Sequence, residues 1–299
     1  MKKVLITGSN GLLGQSLLNL LLQNKDKYQV IGFSKGKNRS GRNDFTYVSI
    51  DITNHNLLKK QIEIYKPDFI VNTAAMTNVD ACEENKQECD ILNIDVVKTL
   101  TEISKKINAH LIHLSTDFIF DGKKGFYKET DKANPLSYYG LSKLKSEEIL
   151  INSKIDFTIL RTILVYGKVY DMSRSNIVLW VKKMLEEEKS ITIVNDQFRM
   201  PTYVEDLARV CKICIDKSAL GVYNISSNEL LSIFDIAKQV AKTFKLNEKF
   251  IIPITTAELN QKAKRPPKTG FNLTKTNREL QFYPKSFKED LQRFKETLK

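Results

Sequence analysis

Lys3-Val4-Leu5-Ile6-Thr7-Gly8-Ser9-Asn10-Gly11-Leu12-Leu13-Gly14 begins as an apolar run of strand length, and its three glycines, set three residues apart, lead into a segment to Leu22 with apolar residues at helical spacing. Strand, glycine turn and helix in that order form the entry to a dinucleotide fold. Glycine tolerates positive φ and places no side chain in the way, so backbone N–H groups and the helix N-terminus can approach a pyrophosphate. A lone glycine triplet is a weak signal, but this one follows a strand and opens a helix, which is its confirming context. The spacing is G-x-x-G-x-x-G, not the commoner G-x-G-x-x-G. The turn nominates Gly8, Asn10, Gly11, Leu12, Leu13 and Gly14 for cofactor contact.

Working outward, strand-like runs near residues 3, 28, 46, 68, 109 and 157 alternate with helical stretches over 54–65, 88–107 and 137–151. Such alternation predicts an α/β fold with a doubly wound parallel sheet of Rossmann type. After Val165-Tyr166-Gly167 the rhythm changes: helices are expected over 176–188 and 204–216, a strand over 221–225, and an irregular, proline-punctuated tail from Phe250 until Phe287. The expected division is a cofactor-binding domain over 1–167, with 201–226 returning to it, and a smaller substrate-binding lobe mainly over 168–299. The two would share a cleft at the carboxyl ends of the strands.

The second strand ends at Ser34-Lys35, where a site selective for NAD carries an acid for the ribose 2′-hydroxyl. No acid stands there. Ser34, Lys35 and Arg39 offer a hydroxyl and cations instead, which points to NADPH, with NADH left open; the plainer reading is a solvated basic loop. Asp51, next to Ile52, offers an acceptor for the adenine amine, and Thr73, Ala74 and Ala75 are small residues where a ribose must lie close.

Tyr139 and Lys143 lie downstream of the strand-end run His113-Leu114-Ser115-Thr116-Asp117. Pro135 precedes the pair and a helical pattern follows, so its i, i+4 spacing puts both side chains on one face of a helix. Reducing a ketone takes hydride to carbon and a proton to the oxygen, so an acid must sit beside that oxygen. Tyr139 is the candidate acid. Moving a phenol from about 10 to about 7 requires roughly 4 kcal/mol of preferential stabilisation of the phenolate, and the ammonium of Lys143 has the sign to supply it. Lys143 also has donors left for the nicotinamide ribose. Thr116, or Ser115, would donate a hydroxyl to the ketone oxygen. The bland alternative is a ring packed on a core edge beside a lysine that snorkels to water.

Composition narrows the field. With 299 residues and 41% hydrophobic content the chain can bury a sizeable core. Its net charge of +12 is scattered, and no block joins clustered Lys/Arg to stacking aromatics, so no nucleic-acid partner is expected. A positive field would favour anionic ligands such as NADPH and nucleotide sugars. The N-terminus lacks a signal-peptide pattern and the 12–22 run is too short and polar to span a bilayer, so no membrane partner and a cytoplasmic location are expected. Cys211 and Cys214 form a C-x-x-C inside a helical pattern and read as core, and His55, His110 and His113 show no metal spacing. No metal site is expected.

The motifs together resemble the extended short-chain dehydrogenase/reductases, and among them the dTDP-4-dehydrorhamnose reductase family. The resemblance rests on the glycine turn, Asn72 to Ala75 with Thr77-Asn78-Val79-Asp80, Ser115-Thr116-Asp117-Phe118-Ile119-Phe120-Asp121-Gly122, Tyr139-Gly140-Leu141-Ser142-Lys143, Arg161-Thr162 with Val165-Tyr166-Gly167, Asp196-Gln197 with Pro201-Thr202, and Arg265-Pro266. It implies Thr116, Tyr139 and Lys143 as the catalytic set and NADPH reduction of the C4 ketone of a dTDP-linked 6-deoxyhexose. Leu164 stands where the family usually places a tryptophan near the sugar, Phe198-Arg199-Met200 replaces a glycine-containing stretch, and Asp171-Met172-Ser173-Arg174-Ser175-Asn176 is distinctive. Asp117, Leu164, Asn176, Arg199 and Arg265, with Thr116, are the substrate-side candidates; Arg174, Asn176, Arg199 and Arg265 are read either as diphosphate contacts or as interlobe ion pairs.

The chain also resembles the non-catalytic regulatory subunit of methionine adenosyltransferase where Gln197-Phe198-Arg199 meets Pro201-Thr202, which implies a competing role as an NADP-binding regulator. A nucleotide-sugar epimerase or dehydratase is a third reading, opposed by the absent acid at Ser34-Lys35. The sugar, the base, a homodimer and any magnesium requirement stay open.

Overall fold

The computed structural model describes residues 1–168, 170, 175–259 and 261–298. Asp171 to Arg174, and with them one candidate diphosphate contact, lie outside the described residues.

Seven parallel strands form the central sheet, in the order Thr46–Ser49, Tyr28–Ser34, Lys2–Thr7, Phe69–Asn72, His110–Thr116, Phe157–Thr162 and Gly221–Ile225. The first strand runs in register with the second on one side (Val4 with Val30) and with the fourth on the other (Val4 with Phe69). The chain therefore winds one way from Lys2–Thr7 and then the other, leaving a crevice at that switch point, where doubly wound sheets bind ligands. Both faces are covered, which is why the strands read as continuous Val/Ile/Leu runs. Helices Leu12–Leu22 and Val204–Lys217 cover one face through Leu17, Leu21, Leu207 and Cys211; His55–Tyr65 and Val96–Ile107 cover the other through Leu58, Ile62, Leu100 and Ile103. Cys211 and Cys214 are buried free thiols in that core.

A third apolar cluster gathers helices Ile177–Glu186, Ile233–Phe244 and Phe287–Thr297 around strand Ile191–Val194, with Tyr166, Val181, Val240 and Phe294 fully buried. The tail differs from the irregular coil expected of it. Ile251–Ile254 pairs with Ile191–Val194, and Lys268–Phe271 sits between Phe198–Arg199 and Gly125–Tyr127 in a four-stranded sheet. Pro253 is tolerated because its strand is one of only two in its sheet, an edge position where a missing N–H breaks no interior ladder. Pro266 and Pro267 precede their strand and do not interrupt it.

The stretch expected as one helix over 88–107 is also more structured than its periodicity suggests. Lys86–Asp90 and Val96–Ile107 are joined by a π-helical turn, Ile91–Asp95. That extra residue per turn aims Asn93 at the Tyr138–Ile151 helix, where its amide donates to Ser142 Oγ at 3.0 Å and its oxygen accepts from Met76 N at 2.8 Å.

Candidate active site

Two close approaches set the site's walls. A Cβ on Gly14 would lie 2.2 Å from Gly8 O, so only glycine lets the first helix start against its own turn. A Cβ on Gly140 would lie 2.2 Å from Phe118 O, so glycine also lets the Tyr138–Ile151 helix press onto the turn that follows the His110–Thr116 strand. Between these walls opens a cleft of about 790 Å³.

Of the cofactor-side candidates, Gly11, Leu12, Leu13, Thr73, Ala75, Tyr139 and Lys143 line this cleft. Gly8, Gly14 and Ala74 lie behind the turn, and Ile52 is buried in the core. The Asn10 side chain is tied to the loop after the second strand, donating to Lys37 O at 2.9 Å and to Tyr47 Oη at 3.1 Å, while its oxygen accepts from Arg39 N at 2.9 Å. Ser34 Oγ accepts from Asn10 N at 3.4 Å. Lys35 and Asp51 form an exposed ion pair at 3.0 Å, and Thr53 also donates to Asp51, whose carboxyl is held at about 2, first by Thr53 and then by Lys35.

The opposite wall carries the reactive groups. Ser137 caps the Tyr138–Ile151 helix, and Tyr139 and Lys143 stand one turn apart on its cleft face. Thr116, buried at its strand's end, accepts from Phe118 N at 3.2 Å and donates to Asp117 Oδ1 at 3.1 Å. The ring of Phe118 meets Tyr139 edge-on, 5.7 Å between centroids. Ser115 Oγ, also on the cleft, is buried with no hydrogen-bond partner among the described residues. Lys143 is 2% exposed, and its Nζ lies 3.0 Å from His113 Nε2. Burial pushes Lys143 down to about 8, with Glu147 and Cys89 acting the other way.

Tyr139 departs from the expected lowered phenol. Burial raises it above its ordinary value and the nearby Asp117 adds to this, while its hydrogen bond with Thr116 opposes. The physical reason is burial, which disfavours the charged phenolate. A neutral phenol is nonetheless the form that can give a proton.

All six substrate-side candidates reach the cleft, namely Thr116, Asp117, Leu164, Asn176, Arg199 and Arg265. Both arginines are engaged within the protein. Arg265 forks onto Asp80 at 2.7 and 3.2 Å, and Arg199 lies 3.7 Å from the buried Asp117 and over the Phe118 ring. Asp117, which also accepts from Thr269, is raised by burial against the pull of Arg199. Asn176 caps helix Ile177–Glu186, accepting from Leu179 N at 3.1 Å and donating to Gly167 O at 2.9 Å. Leu164 holds φ +43°, a left-handed conformation unusual for a branched side chain, and strain of that kind collects at ligand clamps.

Three features at or behind the cleft wall are not legible in sequence spacing. His113 meets Lys143 from 30 residues away; Thr269 meets Asp117 across 152 residues; and Trp180, 37% exposed, lines the cleft from a helix whose apolar stripe alone would place it in the core. Only Trp180 carried a usable signal, as the one tryptophan in the chain. Among the described residues no group of three or more His, Cys, Asp or Glu is placed to hold a metal, and no helix is long and apolar enough to cross a membrane.

A family model described as the RmlD substrate binding domain matches residues 1–299. The dTDP-4-dehydrorhamnose reductase of Aggregatibacter actinomycetemcomitans is 32% identical over 303 residues, which is 97% of this chain and 97% of that protein. Methionine adenosyltransferase 2 subunit beta of Bos taurus is 30% identical over 259 residues, 85% of this chain and 75% of its own length. The solved structure of dTDP-4-dehydrorhamnose reductase from Bacillus anthracis str. Ames in complex with NADP matches with a TM-score of 0.87 at 27% identity, covering 99% of this chain and 100% of that one.

Proposed function

This chain belongs to the family of the RmlD substrate binding domain, and from that membership we propose that it is an NADPH-dependent reductase of the C4 ketone of a nucleotide-activated 6-deoxyhexose, taking dTDP-4-dehydrorhamnose to dTDP-rhamnose. The observation that carries this reading is the convergence of Thr116, Tyr139 and Lys143 on one wall of the cleft whose other wall is the glycine turn.

The residues present suit the cofactor. Gly11 lines the cleft at the start of the first helix, and Lys143 and Ser115 bring buried donors to it, the Ser115 hydroxyl having no partner among the described residues. Gly11, Leu12 and Leu13 would hold the pyrophosphate by backbone N–H groups, Thr73 and Ala75 would flank the adenosine ribose, and Ser34 and Lys35 would meet the 2′-phosphate. Bound NADPH supplies the hydride. Tyr139, neutral because buried, gives its proton to the oxygen as it becomes alkoxide; Thr116 donates to the same oxygen; Lys143 offsets the negative charge then left on Tyr139. Residues 1–167 with 201–226 serve the cofactor, and 168–299 mainly hold the sugar nucleotide through Asn176 and, once their internal pairs open, Arg199 and Arg265, with Thr116, Asp117 and Leu164 contributed from the cofactor side.

The same reading places the protein in the cytoplasm, with a nucleotide sugar and no nucleic acid as partner; light scattering reads directly whether two copies pair. The test is NADPH oxidation by purified protein supplied with freshly generated dTDP-4-dehydrorhamnose, run in parallel with NADH. Turnover stronger with NADPH supports both halves of the proposal, and no turnover despite NADPH binding moves it to the second reading. That reading, a regulatory NADP-binding subunit, is favoured by the similarity to methionine adenosyltransferase 2 subunit beta and would show stable capture of a methionine adenosyltransferase.

A further inference from the structure

We propose that His113 is a positioning residue that acts through Lys143, holding its ammonium by one N–H so that the other two point into the cleft. The inference rests on the reading of Lys143 as the cation beside the cofactor.

Lys143 enters from the Tyr138–Ile151 helix and His113 from the neighbouring strand His110–Thr116, and both are nearly fully buried, at 2% and 1% exposed. An ammonium has three donors and no lone pair, so the ring nitrogen 3.0 Å away must be the bare one. The proton of the neutral ring then sits on Nδ1, which lies 3.1 Å from the Asn72 amide. The structure places the Asn72 nitrogen against Nδ1 and its oxygen 2.6 Å from Thr7 Oγ1, which donates to it; a protonated Nδ1 requires that amide turned over, so that its oxygen accepts from Nδ1 and its nitrogen donates to Thr7 Oγ1. Ser146 Oγ is 3.0 Å from Nε2, but its own hydrogen goes to Lys143 O at 2.6 Å, so it does not compete as a donor. Burial, and then Lys143 itself, hold the His113 ring well below its ordinary pKa, so it stays neutral and able to accept.

The other groups around the ammonium leave this direction to His113. Glu147, one turn on, is committed to Arg161 by a bidentate contact at 2.6 and 3.0 Å. Tyr139 precedes Lys143 by one turn, Cys89 faces from helix Lys86–Asp90 with its Sγ 3.4 Å from Ser142 Oγ, and Asp117 is shared by Thr116, Thr269 and Arg199. A neutral acceptor at Nε2 favours the charged lysine in a site whose burial opposes it, and sets the direction of the remaining N–H bonds.

Two measurements test this. In ligand-free protein near pH 7, long-range proton–nitrogen NMR of the three histidine rings should show His113 with Nδ1 protonated and Nε2 bare, and Lys143→Met should abolish that pattern; an Nε2–H ring overturns the proposal. In the second, NADPH affinity is followed by nicotinamide fluorescence from about pH 6.5 to 9.5, with melting temperature as the fold control. Glutamine places an acceptor where Nε2 is, whereas asparagine reaches only the Nδ1 position. His113→Asn should therefore weaken NADPH binding about tenfold at pH 8 and bring its alkaline loss about one unit lower, and His113→Gln should restore both toward wild type. An asparagine variant that matches wild type, or a glutamine variant as weak as asparagine, overturns it. Neither readout needs the sugar, so absent turnover by wild type would count against the proposed substrate and not against His113.

Discussion

Lys143 and Lys35 are the same side chain in opposite settings, at the two ends of one proposed cofactor site. Lys143 is buried beside one nitrogen of a ring whose other nitrogen meets Asn72, in a helix locked through Glu147 to Arg161. The Lys35 side chain is 83% exposed and its partner is a carboxylate on the surface. A buried cation feels every neighbour and little salt; an exposed one feels salt and few neighbours. Reaction geometry is thus kept where single changes are costly, and cofactor preference where they are cheap.

The harshest way to break the buried end is Arg161→Met, which strands Glu147 as a sealed carboxylate. Removing one partner of a buried pair costs about 3–5 kcal/mol, to be read by urea unfolding; a loss under about 1 kcal/mol would mean that water reaches the corner. Acid probes the same sheet. His110, buried and 2.7 Å from Thr158 Oγ1, is pushed by burial down to about 4. As pH falls from about 6.5 to 4 the unfolded ring takes a proton that the folded ring refuses, so stability that is complete above 6.5 drops by on the order of 3 kcal/mol. Melting temperature against pH should show this slope, and His110→Gln should reduce it, leaving the part due to His113, which burial also holds well below its ordinary value.

Tyr139→Phe sharpens the comparison at the reacting group itself: turnover should fall at least about 100-fold while NADPH binding is retained. Near-normal turnover would remove Tyr139 from the mechanism. The smallest effect belongs to the exposed end. Lys35→Ala should raise the NADPH dissociation constant no more than about fivefold, a difference within the range of exposed ion pairs. That difference should vanish at high salt while NADH binding stays unchanged. A larger, salt-independent loss would put Lys35 in a more enclosed site than the ligand-free structure indicates.

Local pattern was legible and distant pairing was not. The glycine turn, the strand–helix alternation and the Tyr139–Lys143 face repeat over a few residues, so spacing alone exposes them. The strand Lys268–Phe271 has no such signature, because what makes it a strand is Phe198–Arg199 on one side and Gly125–Tyr127 on the other. Arg199 and Arg265 are candidates by type, but their partners, Asp117 and Asp80, stand 82 and 185 residues away. The level of the Tyr139 phenol has a related root, because the burial that raises it comes from the fold and not from the i, i+4 spacing. Helical spacing puts Lys143 one turn from Tyr139, yet only the folded strand brings His113 to its ammonium.

Trp180 gives the protein an internal gauge. It is the single indole in the chain and it sits on the cleft wall, so intrinsic emission excited beyond the tyrosine band arises from this one place. A nucleotide base stacked on the ring would quench that emission, and a reduced nicotinamide within range would take its energy. Occupancy of the cleft by either ligand can therefore be titrated optically in unlabelled protein, in the same cuvette that follows turnover.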